Sequence, residues 1–485
     1  MTFSYSSDNQ KIVAFFASFV FVLISLSSIA QEKWSLEKCI DYAKENSLTL
    51  KQADYGVQLA ALADKQNKLN RLPSINGSSS YGYSFGLGLD PTTNALQNQR
   101  IGFNNISVSG NLTLFQGGLI NNSIKQGQYD LKASKADAEF AFNTMALNIA
   151  NAYLQILMAE EQLVNGEKRL GLSKEQLDQT DKMIKAGTLP ENDRLEVLAQ
   201  MARDEQTIIQ SQNLIDINYL NLKEFMQLDP NTEIQIEIPE INFDYDTSPE
   251  AYTFREVYGT AVNTQPQVMR DEMNLKSAEK GVSIARSGML PTLTLFGGFD
   301  TRWSSASKRP VGPRDTTFDD VTLRVNNEDF VVGFPNISSD VEDTPYFTQL
   351  DDNLGKNVGV SLSIPFYNNH RNRIAVERAK VNILNAKLQA DLTKQQLKID
   401  IQNALASARA GYRSMKAANK TVEAATAAFE NAEKQYELGA INTFQYTTAR
   451  NNLDIAEIDM TVAKYDYLFR LKIIDFYLGK ALKID

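Results

Sequence analysis

Two rows of residues spaced seven apart run through the middle of the chain and return near its end. Ile149, Ile156, Leu163, Leu170, Leu177 and Ile184 form one ladder, and Ile401, Ala408, Met415, Val422, Phe429 and Tyr436 form its copy at an offset of 252 residues. Beside them run mostly small residues, Ala152, Ala159, Gly166, Ser173, Thr180 and Gly187, answered by Ala404, Gly411, Ala418, Ala425, Ala432 and Gly439. A large and a small ladder three and four apart are the seam of a coiled coil, and a strict seven-residue repeat bends such helices into a left-handed supercoil. The spacing predicts long helices over 119–186 and 369–438, each about 68 residues and ~100 Å long at 1.5 Å per residue. Gly187 and Gly439 stop them. Helices of roughly half that length return over 191–228 and 442–479, where Met201, Ile208, Ile215 and Leu222 match Leu453, Met460, Tyr467 and Ile474. Each half opens with one further predicted helix, 36–71 and 254–289. These end at Leu72-Pro73 and Leu290-Pro291, because proline drives the residue before it into extended backbone.

A second pattern has period two. From Ile75 the odd positions read Ile, Gly, Ser, Tyr, Tyr, Phe, Leu, Leu, and the even ones are Asn, Ser and Gly. Ile106, Val108, Leu112 and Leu114 alternate with Ser107, Ser109, Asn111 and Thr113. In the second half Leu293, Leu295, Phe299 and Trp303 alternate with Thr292, Thr294 and Asp300, and Val358, Val360, Leu362 and Ile364 with Gly359, Ser361 and Ser363. Such alternation predicts two pairs of strands, each with an apolar and a wet face. The wet faces carry the small uncharged residues of a water-filled barrel, and aromatics crowd the apolar faces, as in a membrane barrel. Loops are predicted at 90–100 and at 304–356, the latter rich in Asp, Asn and Pro. They are expected to be extracellular.

The organisation that follows is a first repeat over 31–230, a linker over 231–253 in which Ile234, Ile236 and Ile238 alternate, and a second repeat over 254–480. The fold class is mainly α, a duplicated long-helix coiled coil, with four β-strands per chain. Four strands cannot close a barrel, since the smallest membrane barrels use about eight. An open edge in hydrocarbon leaves backbone groups unpaired. Two copies would supply eight strands and three would supply twelve.

Composition narrows the class. The formal charge of −10 argues against nucleic acid or an anionic membrane surface as partner. Cys39 is the only cysteine, which excludes an intrachain disulfide. It falls on one helical face with Leu36, Ile40 and Ala43 and reads as a packed small residue. Lys11, the apolar run 12–29 and the small residues Ser28 and Ala30 predict a signal peptide over 1–30. No catalytic constellation and no cofactor motif is found. His370, the only histidine, lies at a strand-to-helix junction, and Gly86-Leu87-Gly88 belongs to a strand alternation.

The duplication, the Leu-Pro helix exits, the junctions Leu114-Phe115-Gln116-Gly117-Gly118 and Pro365-Phe366-Tyr367-Asn368-Asn369, and the turns Ala186-Gly187-Thr188-Leu189 and Tyr436-Glu437-Leu438-Gly439 occur in the order found in one family. In these features the chain resembles the TolC family of outer-membrane efflux proteins over nearly its whole length. The resemblance implies a homotrimer with a twelve-stranded barrel in outer-membrane lipid and a helical tunnel across the periplasm. It implies passive export without catalysis, with a periplasmic adaptor (membrane fusion) protein and an inner-membrane pump of RND, ABC or MFS type as partners. It places an iris-like gate at the hairpin tips, where Tyr436 matches a gating tyrosine and Asp193 its acidic partner, with a hydrogen bond expected between them. Glu191, Asp193 or Glu196 is the substitute source of an acidic ring, because Gln445 and Thr448 stand where the best-known pattern has aspartates. Gly187, Thr188, Leu189, Gly439, Ala440 and Ile441 are the tip residues expected to meet the adaptor. Phe115 and Phe366, at matching strand ends, are read either as aromatics at the inner lipid boundary or as ordinary core packing. The alternative is a secreted or surface coiled-coil protein of structural or adhesive function, using the helices as a stalk.

Overall fold

A computed structural model describes residues 33–89, 96–238 and 248–480. The signal peptide expected over 1–30 lies outside the described residues, as do 90–95 of the first predicted loop and 239–247 of the predicted linker. The chain divides into two compact units, one gathering Met1–Ala61, Tyr129–Lys276 and Leu384–Asp485, the other Leu62–Gln128 and Ser277–Ile383. Each unit draws on both repeats.

In the first repeat α1 (Leu36–Asn46), α2 (Leu48–Leu69), β1 (Ser74–Leu89), β2 (Leu96–Gln116), α3 (Leu119–Lys185) and α4 (Asn192–Met226) follow one another. The second repeat holds α5 (Phe254–Thr264), α6 (Pro266–Ser287), β3 (Thr292–Ser304), β4 (Lys308–Val325), β5 (Glu328–Asp343), α7 (Tyr346–Asp352), β6 (Gly355–Ser363), α8 (Arg371–Glu437) and α9 (Thr443–Tyr477). The two long helices have 67 residues each and the two returning helices 35.

Three expectations are corrected. The leading helix of each repeat is broken in two, at Ser47 and at Gln265, both buried and extended. Ser47 Oγ accepts from the Leu50 amide and so starts the next helix. Gln265 is held extended by the proline that follows it. Helix α8 begins at Arg371 rather than at 369, because Asn369 and His370 both adopt positive φ, +55° and +56°. They repeat the left-handed pair Gly117 and Gly118 before α3. The segment 304–356 is not irregular loop. It holds an antiparallel hairpin, β4–β5, and the short helix α7.

In the first unit the core gathers where α1 meets α3 and α4. Leu36, Cys39, Ile149, Tyr153, Ile156, Leu222 and Met226 are buried together with Ile234 and Ile236 of the linker. Burial pushes the Cys39 thiol up to about 12, so it is inert at neutral pH. Ile236 pairs in parallel with Trp34, whose amide donates to Gln235 O at 2.8 Å, and the Tyr153 hydroxyl lies within hydrogen-bond distance of the Trp34 and Glu237 carbonyls. The equivalent cluster of the second repeat is Val257, Ala261, Leu397, Ile401, Leu405, Ala408 and Ile474. The two repeats use their ladders differently. On α3 the small ladder is buried from Ala152 to Thr180, with Gly166 placed so that a Cβ would lie 3.3 Å from Ile208, while the large ladder is buried at Ile149 and Ile156 and only half-buried at Leu163 and Leu170. On α8 the large residues Ile401, Ala408, Met415 and Tyr436 are buried, and of the small ladder Gly411 is.

In the second unit β1, β2, β3 and β6 form one antiparallel sheet in the order β1-β2-β3-β6. The register sets Gly77 opposite Val108, Val108 opposite Phe299, Leu112 opposite Leu295, and Leu295 opposite Val360. Directly opposed residues share a face, so one continuous face carries Ile75, Tyr81, Phe85, Val108, Leu112, Leu295, Phe299, Val358, Val360 and Leu362. Most of these apolar side chains are exposed, Val358 at 82%. The other face carries Ser78, Ser107, Asn105, Asp300, Thr294 and Ser361, with Ser78 and Ser107 hydroxyls 2.8 Å apart. A bulge at Leu114 keeps Phe115 on the apolar face opposite Leu293. Phe115 and Phe366, which follows β6, are both exposed rather than packed into a core.

Candidate functional site

The turns joining α3 to α4 and α8 to α9 are built alike. Gly187 and Gly439 take φ of +73° and +67°. The Gly187 amide donates to Ile184 O and the Thr188 amide to Met183 O, while Gly439 donates to Tyr436 O and Ala440 to Gln435 O. This six-to-one and five-to-two pairing is a Schellman stop, which satisfies the orphan carbonyls of each long helix and needs a residue without Cβ strain. Gly187, Thr188, Gly439 and Ala440 are exposed, and Leu189 and Ile441 are half-buried. Asn442 then opens α9 with a capping box: its side chain accepts from the Gln445 amide at 2.9 Å, and Gln445 Oε1 accepts from the Asn442 amide at 3.3 Å. Gln445 is thus a helix cap. Thr448 donates to Phe444 O of its own helix at 2.8 Å, and Glu191 is exposed and makes no side-chain cap.

Tyr436 and Asp193 are brought to one place, but the expected direct bond is not made. Thr443 stands between them. Its hydroxyl donates to Asp193 Oδ2 at 3.0 Å and lies 3.4 Å from the Tyr436 hydroxyl. With the threonine proton committed to the carboxylate, the tyrosine is the donor in the second contact, giving a chain from Tyr436 through Thr443 to Asp193. Thr443 is fully buried and Tyr436 nearly so, and the Tyr436 ring stacks on Tyr446 at 4.8 Å between centroids. Arg194 Nε adds an ion pair to Asp181 at 2.9 Å across the α3–α4 turn. Sequence reasoning missed Thr443; its only signal is its place directly after the capping asparagine.

Above this relay α3, α4 and α9 share a buried polar seam that the heptads hid. Ser173 donates to Asp204, whose other oxygen accepts from Gln200 Nε2 at 2.9 Å. Gln176 Nε2 reaches Thr447 Oγ1 at 3.4 Å, and Arg450 donates to the Arg169 carbonyl at 2.7 Å. Asp204, Arg450 and Asp454 are each less than a tenth exposed. Desolvation pushes the Asp454 carboxyl up to about 6, against the pull of Arg450 and Arg169 and with a further push from Asp204. Arg450 Nε and Nη1, Asp454 Oδ2, Thr180 Oγ1 and Gln176 Oε1 have no protein hydrogen-bond partner among the described residues. Burying such groups incompletely paired is unfavourable by about 1–3 kcal/mol each, so this packing is held against a standing electrostatic cost.

Among the described residues no three His, Cys, Asp or Glu side chains cluster as a metal site, and no helix is long and apolar enough to cross a membrane. His370 sits beside Tyr367, ring centroids 5.6 Å apart, in the left-handed junction before α8.

The model of the family described as Outer membrane efflux protein matches residues 39–226 and 257–480. Outer membrane protein TolC of Salmonella enteritidis is 27% identical over 184 residues, 37% of each chain. TolC of Escherichia coli is 22% identical over 342 residues, and the match spans 61% of that protein. The corresponding protein of Vibrio cholerae is 19% identical over 453 residues, covering 93% of this chain and 92% of that one. The solved structure of CusC, a protein studied for the conformational changes accompanying its folding and transmembrane channel formation, superimposes with a TM-score of 0.74 at 15% identity, covering 94% of this chain and 96% of that chain. Duplicated helices, one four-stranded amphipathic sheet and two Schellman-stopped tips agree with a match across both repeats: the chain belongs to the outer membrane efflux protein family, passive channels rather than enzymes, seated in the Gram-negative outer membrane with a helical periplasmic extension.

Proposed function

We propose that this protein is the trimeric exit duct of a tripartite efflux or type I secretion system. The observation that carries the reading is the sheet β1-β2-β3-β6, with a continuous exposed apolar face and, among the described residues, no neighbour on the outer side of β1 or of β6. In hydrocarbon those edges must be paired. Pairing β6 of one copy with β1 of the next, three times, gives twelve strands with the serine and threonine faces turned to a water-filled lumen. The helices then conduct substrates passively across the periplasm to the tips, where an adaptor protein and an inner-membrane pump dock against Gly187, Thr188, Leu189, Gly439, Ala440 and Ile441.

The relay from Tyr436 through Thr443 to Asp193 serves as the gate. It ties the start of α9 to the start of α4 within one copy, and opening breaks it. A charged acceptor makes such a link worth about 1–3 kcal/mol. The test has two readouts. Unboiled protein should migrate as a trimer that collapses to monomer on heating. In planar bilayers, Thr443→Val should raise conductance relative to wild type, with Tyr436→Phe and Asp193→Asn doing the same. Three variants with unchanged conductance would sink the gate; a water-soluble monomer without detergent would sink the duct.

A further inference from the structure

The face of α9 that begins at the relay stays polar for three turns. Thr443, Thr447, Arg450 and Asp454 follow at steps of four, three and four, and all are buried. Arg169, Ser173, Gln176 and Thr180 of α3 follow at the same steps, and the last three are less than a tenth exposed. The two stripes meet, since Gln176 Nε2 reaches Thr447 Oγ1 and Arg450 donates to the Arg169 carbonyl. Steps of three and four mark the packed seam of neighbouring helices, which is ordinarily apolar. Further from the tips both helices return to that rule: Ile149, Ile156 and Ala159 are buried on α3, and Ala456, Ala463 and Ile474 on α9. The polar stretch is confined to the tip side.

The duplication shows that the heptads do not demand these residues. At the 252-residue offset Ser173, Gln176 and Thr180 correspond to Ala425, Ala428 and Ala432, and Arg450 and Asp454 to Leu198 and Ala202. Positions that are polar in one repeat are apolar in its copy. Nor are the polar groups fully paired. Arg450 is 3% exposed, yet its Nε and Nη1 have no partner among the described residues. The same holds for Arg169 Nη2, Asp454 Oδ2, Gln176 Oε1 and Thr180 Oγ1. Buried groups left unpaired disfavour the packing that buries them, and parting the helices returns them to water. Apolar side chains of similar volume commonly make such a packing more stable.

We propose that this stripe is the spring of the gate: Arg450, Asp454 and Thr180 bias the closed packing of α9 on α3 toward opening, and the relay from Tyr436 through Thr443 to Asp193 is the latch that holds it. The inference rests on the gate reading above. It assigns the two sets opposite effects, so that losing the latch opens the tips and losing the spring keeps them shut.

Planar-bilayer conductance of the full-length trimer tests it, with Thr443→Val as the cut latch. Two changes remove unpaired groups at nearly constant volume: the pair Arg450→Met and Asp454→Leu together, and, separately, Thr180→Val. Each should lower conductance below wild type, and each should suppress the rise that Thr443→Val gives by itself, by about tenfold for the pair. If the stripe were merely glue between the helices, the same changes would raise conductance or loosen the heat-modifiable trimer. A rise with Thr443→Val that both seam variants leave intact overturns the proposal while the latch stands. No rise with Thr443→Val removes the latch and the proposal together. Should the pair fail to assemble as trimer, Thr180→Val decides by the same two readouts.

Discussion

At the scale of single residues the informative side chains are the buried polar ones. Thr443 was legible only as the residue after a cap, and Ser173 and Thr180 only as small members of a ladder; their roles appear when α4 and α9 are laid against α3. A heptad identifies which face is buried, but not what a buried serine donates to, because the partner Asp204 lies on another helix. Asp454 gives this seam a pH dependence with a definite sign. Its carboxyl titrates near 6 in the folded chain against 3.8 as a free group, so between these values the folded state binds the extra proton. The contribution of Asp454 to stability is therefore fullest below about 4 and declines as pH rises through 6. Asp454→Asn should flatten this component: thermal unfolding from pH 4.5 to 7.5 should show a smaller fall in Tm with rising pH than in wild type. An identical pH profile would refute the assignment.

At the scale of elements, the long helices were predicted to within two residues because their stop signals are local. A glycine with positive φ and two backbone bonds belongs to the turn itself. The leading helices were misjudged for a related reason. A single extended residue such as Ser47 interrupts hydrogen bonding without disturbing helical spacing on either side. The Asn326-Asn327 turn was a readable hairpin signal, masked by the Asp- and Pro-rich composition around it. In the sheet, Gly298 shows a constraint that alternation does not report: a Cβ there would lie 2.7 Å from the Val108 carbonyl of the neighbouring strand, whereas one at Gly77 would meet nothing within 4 Å. Gly298→Ala should therefore destabilise the β2–β3 pairing by about 1–3 kcal/mol, read as a lower dissociation temperature of the assembled protein. Gly77→Ala should leave it unchanged.

At the scale of the whole molecule, the proposed barrel makes the two faces of one strand unequal. Val360 and Ser361 are adjacent on β6, yet Val360 shares the exposed apolar face with Leu295 and Ser361 the polar face with Thr294. A lysine on the lipid side near the bilayer midplane is unfavourable by ~2–4 kcal/mol, and one lining the lumen far less so. Val360→Lys should sharply reduce the amount recovered in the outer-membrane fraction as heat-modifiable trimer, and Ser361→Lys should not. Equal recovery of the two would argue that this sheet does not face lipid.

What the sequence determined by itself were the patterns read within one element: the duplication, the coiled-coil ladders, the glycine stops and the amphipathic strands. Each is a periodic imprint of local geometry, repeated often enough to stand above noise. The tertiary structure alone decided how far along each helix the two ladders are buried, that Thr443 joins Tyr436 to Asp193, and that a charged seam lies between three helices. It also decided that the segment 304–356 folds into the hairpin β4–β5 and the helix α7. Those outcomes depend on pairs of residues separated by up to 281 positions, brought together by packing that no single segment of sequence records.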